Sequence, residues 1–313
     1  MAFLNALPGA VEQGLIWGLM AIGVYISYKV LDIADLTVDG SFATGGCVCA
    51  VMIISGVPAW ISVILAFIAG AASGVITGLL HTALGIPSIL AGILTQLMLY
   101  SINLAVIMDG ERGKTLIYGT HKTLISGRVN LPSQIESIII MTAVIAAVII
   151  ILWLFFYTEV GLTLKSTGDN PDMSRAQGIN VSLNKVIGLA VSNGIVALAG
   201  AFYAQYNSQA DITYGSGAIV TGLAAIFIGL SVSLKIKPNF VVSLIGVVGG
   251  GIIYYLIFTF VVSVLGLPTD YLKLLTAAIV ILFLSTPYLK GRYFTRQKPI
   301  PLNAEPTGGD ADA

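Results

Sequence analysis

Residues 31–46 read LDIADLTVDGSFATGG, a stretch that places three aspartates and three glycines between two apolar runs. Asp32, Asp35 and Asp39 have D-x-x-D-x-x-x-D spacing in a chain of which only 10% is charged, so such a cluster is unusual here. The central phrase ADLT, which begins at Ala34, returns as ADIT at Ala210, again after an apolar run and before glycines. A phrase that recurs in the same setting suggests two related halves.

The composition identifies the class of protein. Of 313 residues 57% are hydrophobic, and the mean hydropathy of +0.94 is far above that of soluble domains. The chain is therefore predicted to be an integral membrane protein surrounded by membrane lipid. Its net charge of zero gives no basic surface for nucleic acid. Two cysteines and two histidines indicate neither a disulfide framework nor a metal site.

Nine apolar segments approach the roughly 20 residues that a helix needs to cross the hydrocarbon layer. The second and seventh are short and rich in glycine, with Gly45 and Gly46 in one and Gly215 and Gly217 in the other. We expect these two helices to be broken and to begin partway across the membrane. The nine segments are 9–28, 41–57, 59–80, 87–108, 137–157, 184–204, 216–234, 239–263 and 270–289. Residues 1–290 thus form one all-α transmembrane domain, and residues 291–313 read as a disordered cytoplasmic tail.

Basic residues predict the orientation. The positive-inside rule assigns the side richer in Lys and Arg to the cytoplasm. Nine spans then leave the N-terminus outside and the C-terminus in the cytoplasm. The connection 109–136 is an exception to the rule. It would lie outside although it carries four basic residues, which three acidic residues partly balance. The residues on the cytoplasmic side are Lys29, Lys165, Arg175, Lys185, Lys235, Lys237, Lys290, Arg292, Arg296 and Lys298.

The two copies of the repeated phrase are separated by five predicted spans. An odd number of crossings makes them face opposite sides, which is the arrangement of an inverted-topology repeat. Asp35 should then lie toward the cytoplasm and Asp211 toward the outside, each in a non-helical turn before a short helix that starts near the glycines. The alternative is chance similarity in a chain rich in glycine and alanine.

The three aspartates admit two other interpretations. Their spacing resembles the magnesium-diphosphate motif of membrane prenyltransferases, in which carboxylates hold the metal. That chemistry needs a second acidic cluster, whereas the second copy offers Asp211 alone. They could also be interfacial capping groups, and Asp39-Gly40-Ser41 would cap the next helix well.

The connection after the fifth span reads EVGLTLKSTGDNPDMSRAQGINVSLNKVIGLAVSNG from Glu159 onward. Gly168 is expected to end one segment, Asn170 to cap the next, and Pro171 to open a short helix that runs to about Gln177. Gly178 would terminate it. The alternative is an ordinary solvated connection.

This stretch resembles the permease subunits of ABC importers of the branched-chain amino-acid and ribose type. The resemblance covers about residues 14–289 and implies a type II ABC importer-like fold in a bacterial plasma membrane. It departs from the family at Ser166-Thr167. Within the family the chain is most similar to permeases assigned to tryptophan or tyrosine uptake. The matching residues are Gly161, Leu164, Lys165, Gly168, Asn170, Pro171, Arg175, Ala176, Gly178, Ile179, Ala199 and Gly200.

The resemblance implies uptake of a small polar solute, above all an amino acid, and it implies three protein partners. They are a cytoplasmic ABC ATPase, a second permease copy in a homodimer or heterodimer, and an extracytoplasmic substrate-binding protein. A helix projecting on the positive side suits docking to the ATPase, because rigid-body motion must pass through that contact. The predicted coupling residues are Gly168, Asn170, Pro171, Arg175, Ala176 and Gly178; the segment 159–183 would be the coupling loop.

The chain has no nucleotide site of its own. No G-x-x-x-x-G-K-[ST] sequence occurs, and Gly113-Lys114-Thr115 lacks the glycine five residues earlier. ATP hydrolysis must therefore belong to the partner, and we expect no enzyme activity and no cofactor in this chain.

The fourth span supplies the candidate path. Gly92, Gln96 and Asn103 share one helical face. Uncharged polar groups in a membrane helix turn toward water or other helices, so helix–helix hydrogen bonding is the alternative. No Lys or Arg occurs at mid-span, which favours weak contacts with solute; a nonenzymatic channel stays possible. The predicted path residues are Gln96, Ser101, Asn103, Asn193, Asp35 and Asp211.

Overall fold

The computed structural model describes residues 2–107, 114–116, 123–124, 133–233 and 239–265, together with positions 274, 277, 278, 280 and 281. Ten helices and two short strands lie in these residues. They are α1 Ala2–Tyr25, α2 Thr37–Ile54, α3 Ala59–Thr82, α4 Ser88–Val106, β1 Lys114–Leu116, α5 Ser133–Tyr157, α6 Glu159–Asp169, α7 Pro171–Ala176, α8 Val181–Asn207, β2 Gln209–Asp211, α9 Ala218–Ser233 and α10 Phe240–Leu265. A π-helical turn, Ile26–Val30, continues α1.

The predicted all-α membrane fold is confirmed. Seven helices in the described part of the chain are long and apolar enough to cross a membrane, and the shorter α9 is the eighth candidate. The ninth predicted segment, 270–289, falls almost wholly outside the described residues, as do positions 235 and 237 and the tail 291–313. Nine therefore stays an approximate count.

Helix directions follow from contacts with the central helix α8. Ser41 of α2 donates to Asn193 Oδ1 at 2.7 Å, and Gln205 near the end of α8 reaches Cys49, so α2 and α8 are parallel. Ser192 donates to the Gly23 carbonyl at 2.8 Å, near the end of α1. Near the start of α1, Gly9 lies beside the Tyr206 hydroxyl at the end of α8, so these two helices are antiparallel.

We call the end of the bundle that carries α6 and α7 the Pro171 end, and the end that carries the strands the Gln209 end. The helix α9 runs from the interior toward the Pro171 end, because Gly222 packs beside Met20 and Phe227 lies 6.2 Å from Tyr28 between ring centroids. The helices α2 and α9 therefore point in opposite directions. Five spans, α2, α3, α4, α5 and α8, separate the two copies of the repeated phrase, as the inverted repeat requires.

Both short helices begin in the interior, as predicted. The chain is non-helical over 32–36, which we call the first lead-in, and α2 begins at Thr37, level with the middle of α8. Turns at 212–217 form the second lead-in, before α9. The expected start of the short helix near Gly45 and Gly46 was wrong, because α2 begins at Thr37. Gly45 lies inside α2, where a methyl group would overlap the Ala197 carbonyl, so glycine permits close contact with α8 there.

Burial separates an inner from an outer layer. The apolar window of the first span is 83% buried and that of α8 is 67% buried, whereas the figure for α5 is 17%. The helices α1 and α8 are thus enclosed by protein, and α5 presents isoleucine and leucine outward to lipid.

Candidate functional site

The repeated phrase folds into the same turn twice. The Asp35 carboxylate accepts the backbone N–H of Thr37 at 2.8 Å, and the Asp211 carboxylate accepts that of Thr213 at 2.8 Å. An aspartate that accepts from the residue two positions on forms an Asx turn. The predicted non-helical turn at each aspartate is confirmed, and the recurrence extends to local structure.

Asp39 joins the two copies. Its carboxylate oxygens accept the backbone N–H groups of Gly217 at 3.0 Å and Ile219 at 2.9 Å, in the first turn of α9. Free N–H groups at a helix start attract an acceptor and a negative charge. The expectation that Asp39 caps the helix next in sequence was wrong, because Asp39 lies within α2 and caps α9 instead.

Asp35 and Asn193 belong to a closed polar network. Asn193 donates to Asp35 Oδ2 at 2.6 Å and accepts from Ser41 at 2.7 Å, and Ser41 shares a 2.6 Å hydrogen bond with Ser73. All four side chains are at most 2% exposed. These side chains hydrogen-bond to one another. The contacts of Asn193 therefore fit the alternative that its side chain serves helix–helix hydrogen bonding. Asp35 lies midway along α8 rather than at the Pro171 end.

Asp211 lies at the other side of this network, toward the Gln209 end. It ends strand β2, opposite Lys114 of β1 in the antiparallel pair, and its carboxylate also accepts the Thr213 hydroxyl at 2.7 Å. Asp35 thus lies nearer the Pro171 end than Asp211 does, which is the order that the inverted repeat predicted. The side chain of Asp211 is buried, at 5% exposed.

A cavity of about 390 Å³ lies between the two repeat copies and α4. Of the predicted path residues, Gln96 and Asn103 line it. Ser101 is exposed on another face of α4, and Asp35 and Asn193 lie behind the cavity. Sequence reasoning missed the remaining lining residues, although the repeat itself could have pointed to those of the second lead-in; they are Asp39, Gly40, Ala43, Leu97, Tyr100, Ile212, Thr213 and Ser216.

The short helix α7 forms as predicted. Asn170 Oδ1 accepts the Met173 N–H at 2.9 Å, Pro171 opens the helix, and Gly178 ends it with a φ of +82°. Ser174 is the one buried residue of this helix, so its surface projects from the bundle. Arg175 is exposed and pairs with Asp172 at 3.1 Å, and Ala176 is exposed beside it.

The segment that contains Gly168 ends one residue later, at Asp169, close to where it was predicted to end. The expected special conformation of Gly168 was wrong, because Gly168 is helical with a negative φ, and a methyl group there would overlap the Val30 carbonyl. Glycine thus lets α6 touch the chain just before the first lead-in. Ser166 of α6 bonds Ser174 of α7 at 2.8 Å. A continuous packed route therefore leads from α7 through α6 to the first lead-in.

The carboxylates do not assemble a metal site. Asp35 faces Asn193, Asp39 faces α9, and Asp32 is exposed in a left-handed turn with a φ of +53°. No group of three His, Cys, Asp or Glu side chains within the described ranges could hold a metal ion. This arrangement gives no support to the prenyltransferase interpretation.

Known proteins match almost the whole chain. A tyrosine transport system permease protein of Clostridioides difficile (strain R20291) is 36% identical over 283 residues, which cover 90% of this chain and 92% of that protein. The ribose import permease protein RbsC of Escherichia coli (strain K12) is 25% identical over 248 residues, covering 78% and 74%. Among solved structures, PsaBC from Streptococcus pneumoniae in complex with Fab has a TM-score of 0.52 at 16% identity over 93% of this chain and 96% of that chain, which shows a shared fold.

A family model described as the branched-chain amino acid transport system / permease component matches residues 9–284. That range includes both repeat copies, the cavity and α7. The chain therefore belongs to this family of membrane transport permeases.

Proposed function

We propose that this chain is the transmembrane permease subunit of an ATP-binding cassette uptake system that passes a small polar solute, specifically an amino acid, inward. The observation that carries the proposal is the packed route from α7 through α6 to Val30, which Gly168 touches just before the first lead-in. A permease driven by a partner's ATP hydrolysis needs a rigid external contact joined to its interior.

The substrate class draws support from the relatives. The family description and a relative 36% identical both name amino acids, and the latter names tyrosine. Other relatives, at 25% identity, are named for ribose and for nucleosides. These solutes are also small and polar, so the names agree with the coarser class of small polar solutes. An aromatic amino acid is therefore the substrate that we propose.

We assign the ATPase contact to α7 and its flanks. Met173 is 59% exposed, which leaves an apolar side chain available to a groove on the partner. Arg175 adds an exposed positive charge whose partner Asp172 is itself exposed, so this ion pair exchanges readily. The proposed coupling residues are Gly168, Asn170, Pro171, Arg175, Ala176 and Gly178.

The Pro171 end is proposed to face the cytoplasm of a bacterial cell. Lys29, Lys165, Arg175 and Lys185 lie at this end, which suits the positive-inside rule. The N-terminus then lies outside and the C-terminus inside. A substrate-binding protein would dock at the Gln209 end, and a second permease copy would pair with this one in the membrane.

The proposed path passes Gln96 and Asn103, with Asp211 above them and the network of Asp35 and Asn193 behind. Ser101 joins the path only where a second copy covers its face of α4. Because the buried network hydrogen-bonds α2 to α8 and α3, it would hold the wall of the path in place.

The test is reconstitution of the permease with its proposed partners, an ABC ATPase and a substrate-binding protein. Proteoliposomes should accumulate labelled aromatic amino acid only when ATP is enclosed with the ATPase. ATP-independent equilibration would favour a channel, and uptake of sugars alone would remove the amino-acid assignment. Magnesium-dependent binding of prenyl diphosphate at micromolar concentration would favour the enzyme.

A further inference from the structure

The cavity between the repeat copies has the position and size of a ligand site. The first turn of α2 supplies Asp39, α4 supplies Asn103, and the second lead-in supplies Ser216. Its volume of about 390 Å³ is within the range of small-molecule pockets. Transporters built from inverted repeats bind their solute at the repeat interface, beside discontinuous helices such as α2 and α9.

The polar lining includes two residues with hydrogen-bond acceptors, Asn103 and Asp39. Asn103 is 1% exposed, and its Oδ1 atom has no hydrogen-bond partner. A buried polar atom in this state is costly unless another group bonds it. The Asp39 carboxylate borders the same cavity while it accepts two N–H groups from α9. Two residues with acceptor atoms, from different helices, therefore line one cavity.

The charge of the lining restricts the chemical class of the ligand further. Among the described residues that line the cavity, Asp39 is the charged one, and no Lys or Arg is present. A free anion would find no cation there, whereas an ammonium group supplies several N–H donors and a positive charge. The walls formed by Leu97, Tyr100 and Ile212 are apolar, and Gly40 and Ala43 leave room between them.

We infer that this cavity binds the ammonium group of an apolar or aromatic α-amino acid, with Asp39 and Asn103 Oδ1 as its acceptors. The side chain of the solute lies against Leu97, Tyr100 and Ile212. This inference rests on the proposed transport function and deepens it, because it assigns part of the solute selectivity to the permease itself. Sugars, which have neither an ammonium group nor an apolar body, bind there poorly.

Competition binding to the full-length permease in lipid nanodiscs tests the site. The tracer is labelled L-phenylalanine, and the competitors are L-phenylalaninamide, which keeps the ammonium group, N-acetyl-L-phenylalanine, which lacks it, and D-ribose. L-phenylalanine and its amide should displace the tracer, and the other two should not. Absence of saturable binding up to about 10 mM overturns the inference, as does equal displacement by the N-acetyl compound.

Substitutions locate the binding. Asp39→Asn removes the charge yet keeps a good helix cap, and Asn103→Leu removes the acceptor. Each should weaken binding about tenfold or more, which corresponds to the loss of one such contact. The matched control is Asp32→Asn, an exposed carboxylate outside the cavity, and asparagine accepts its left-handed backbone equally well. Thermal unfolding of each variant confirms that it is folded.

The result separates the two proposals. If both cavity variants bind L-phenylalanine as the wild type does, the site is wrong, even where proteoliposomes import amino acid with ATP. If instead the purified permease binds the ammonium compounds through Asp39 and Asn103 but no ATP-dependent uptake occurs, the proposed function fails and the site stands.

Discussion

Asp39 Oδ1 accepts the backbone N–H of Ile219 at 2.9 Å, so the first copy of the repeated phrase caps the helix that follows the second copy. The two copies are thereby fixed to each other where α2 and α9 begin. Gly215 allows this approach, because a methyl group there would overlap the Asp39 carbonyl. The start of α2 and the second lead-in are therefore held together by direct hydrogen bonds.

Replacing Asp39 with alanine should destabilise the folded protein. The variant loses a helix cap, which typically costs about 0.5–2 kcal/mol. Unfolding in mixed micelles measures the change, and Asp39→Asn should cost less. Asp169→Ala, at an exposed carboxylate that ends α6, is the control and should stay within about 0.5 kcal/mol. Equal stabilities for Asp39→Ala and Asp169→Ala would contradict the cap.

Replacing Gly168 with alanine should disturb the contact between α6 and Val30, just before the first lead-in. The new methyl group overlaps the Val30 carbonyl, so the two backbones must separate. Crowding of this kind costs about 1–3 kcal/mol, and we expect ATP-driven uptake to fall. The control is Gly249→Ala within α10, where a methyl group meets open space and helix propensity favours alanine by about 1 kcal/mol. The contact is unimportant if the two variants behave alike.

The local features of α7 could be predicted from sequence because their causes lie within a few residues. Asn170, Pro171 and Gly178 act on adjacent backbone, and the structure shows each in its expected position. The span pattern was predictable for a similar reason, since twenty apolar residues suffice to identify a membrane helix.

The candidate site could not be predicted in the same way, because its contacts join residues far apart in the sequence. Asp39 caps a helix that begins at Ala218, far along the chain, and no local rule links the two. Gly45 was read as marking a helix start and Gly168 a segment end, because a glycine at a helix end and one that permits close contact look identical in sequence. The two roles can be told apart only in the structure, where the backbone of Ala197 lies against Gly45 and that of Val30 against Gly168.

Substitutions in α7 should uncouple ATP hydrolysis from uptake while the permease stays inserted. Arg175→Glu reverses an exposed charge, and Gly178→Val forces a β-branched residue into a left-handed conformation, which costs about 1–3 kcal/mol locally. ATPase activity should persist while solute accumulation falls. Cysteines placed from Asn170 to Gly178 should crosslink to the ATPase. Crosslinking through another connection alone would show that α7 is not the contact.

The inverted repeat and the orientation can be tested together by labelling single cysteines in intact cells. Ser55 is exposed at the Gln209 end, between α2 and α3, and Arg175 is exposed at the Pro171 end. An impermeant maleimide should label Ser55→Cys in intact cells but Arg175→Cys only after permeabilisation. The native cysteines are buried, at 0% exposed, so the unsubstituted protein serves as the control.

Span parity makes this labelling decisive. The positive-inside rule predicts that the Pro171 end lies in the cytoplasm. With five helices between the two copies, the second lead-in should then enter from outside and the first from inside. Labelling of Arg175→Cys from outside would reverse the whole assignment, including the ATPase contact at α7. Labelling of both variants from the same side would mean an even number of crossings between α2 and α7. The two copies of the phrase would then be a direct duplication or a coincidence, and the Asp39 cap would join segments that are not inverted partners.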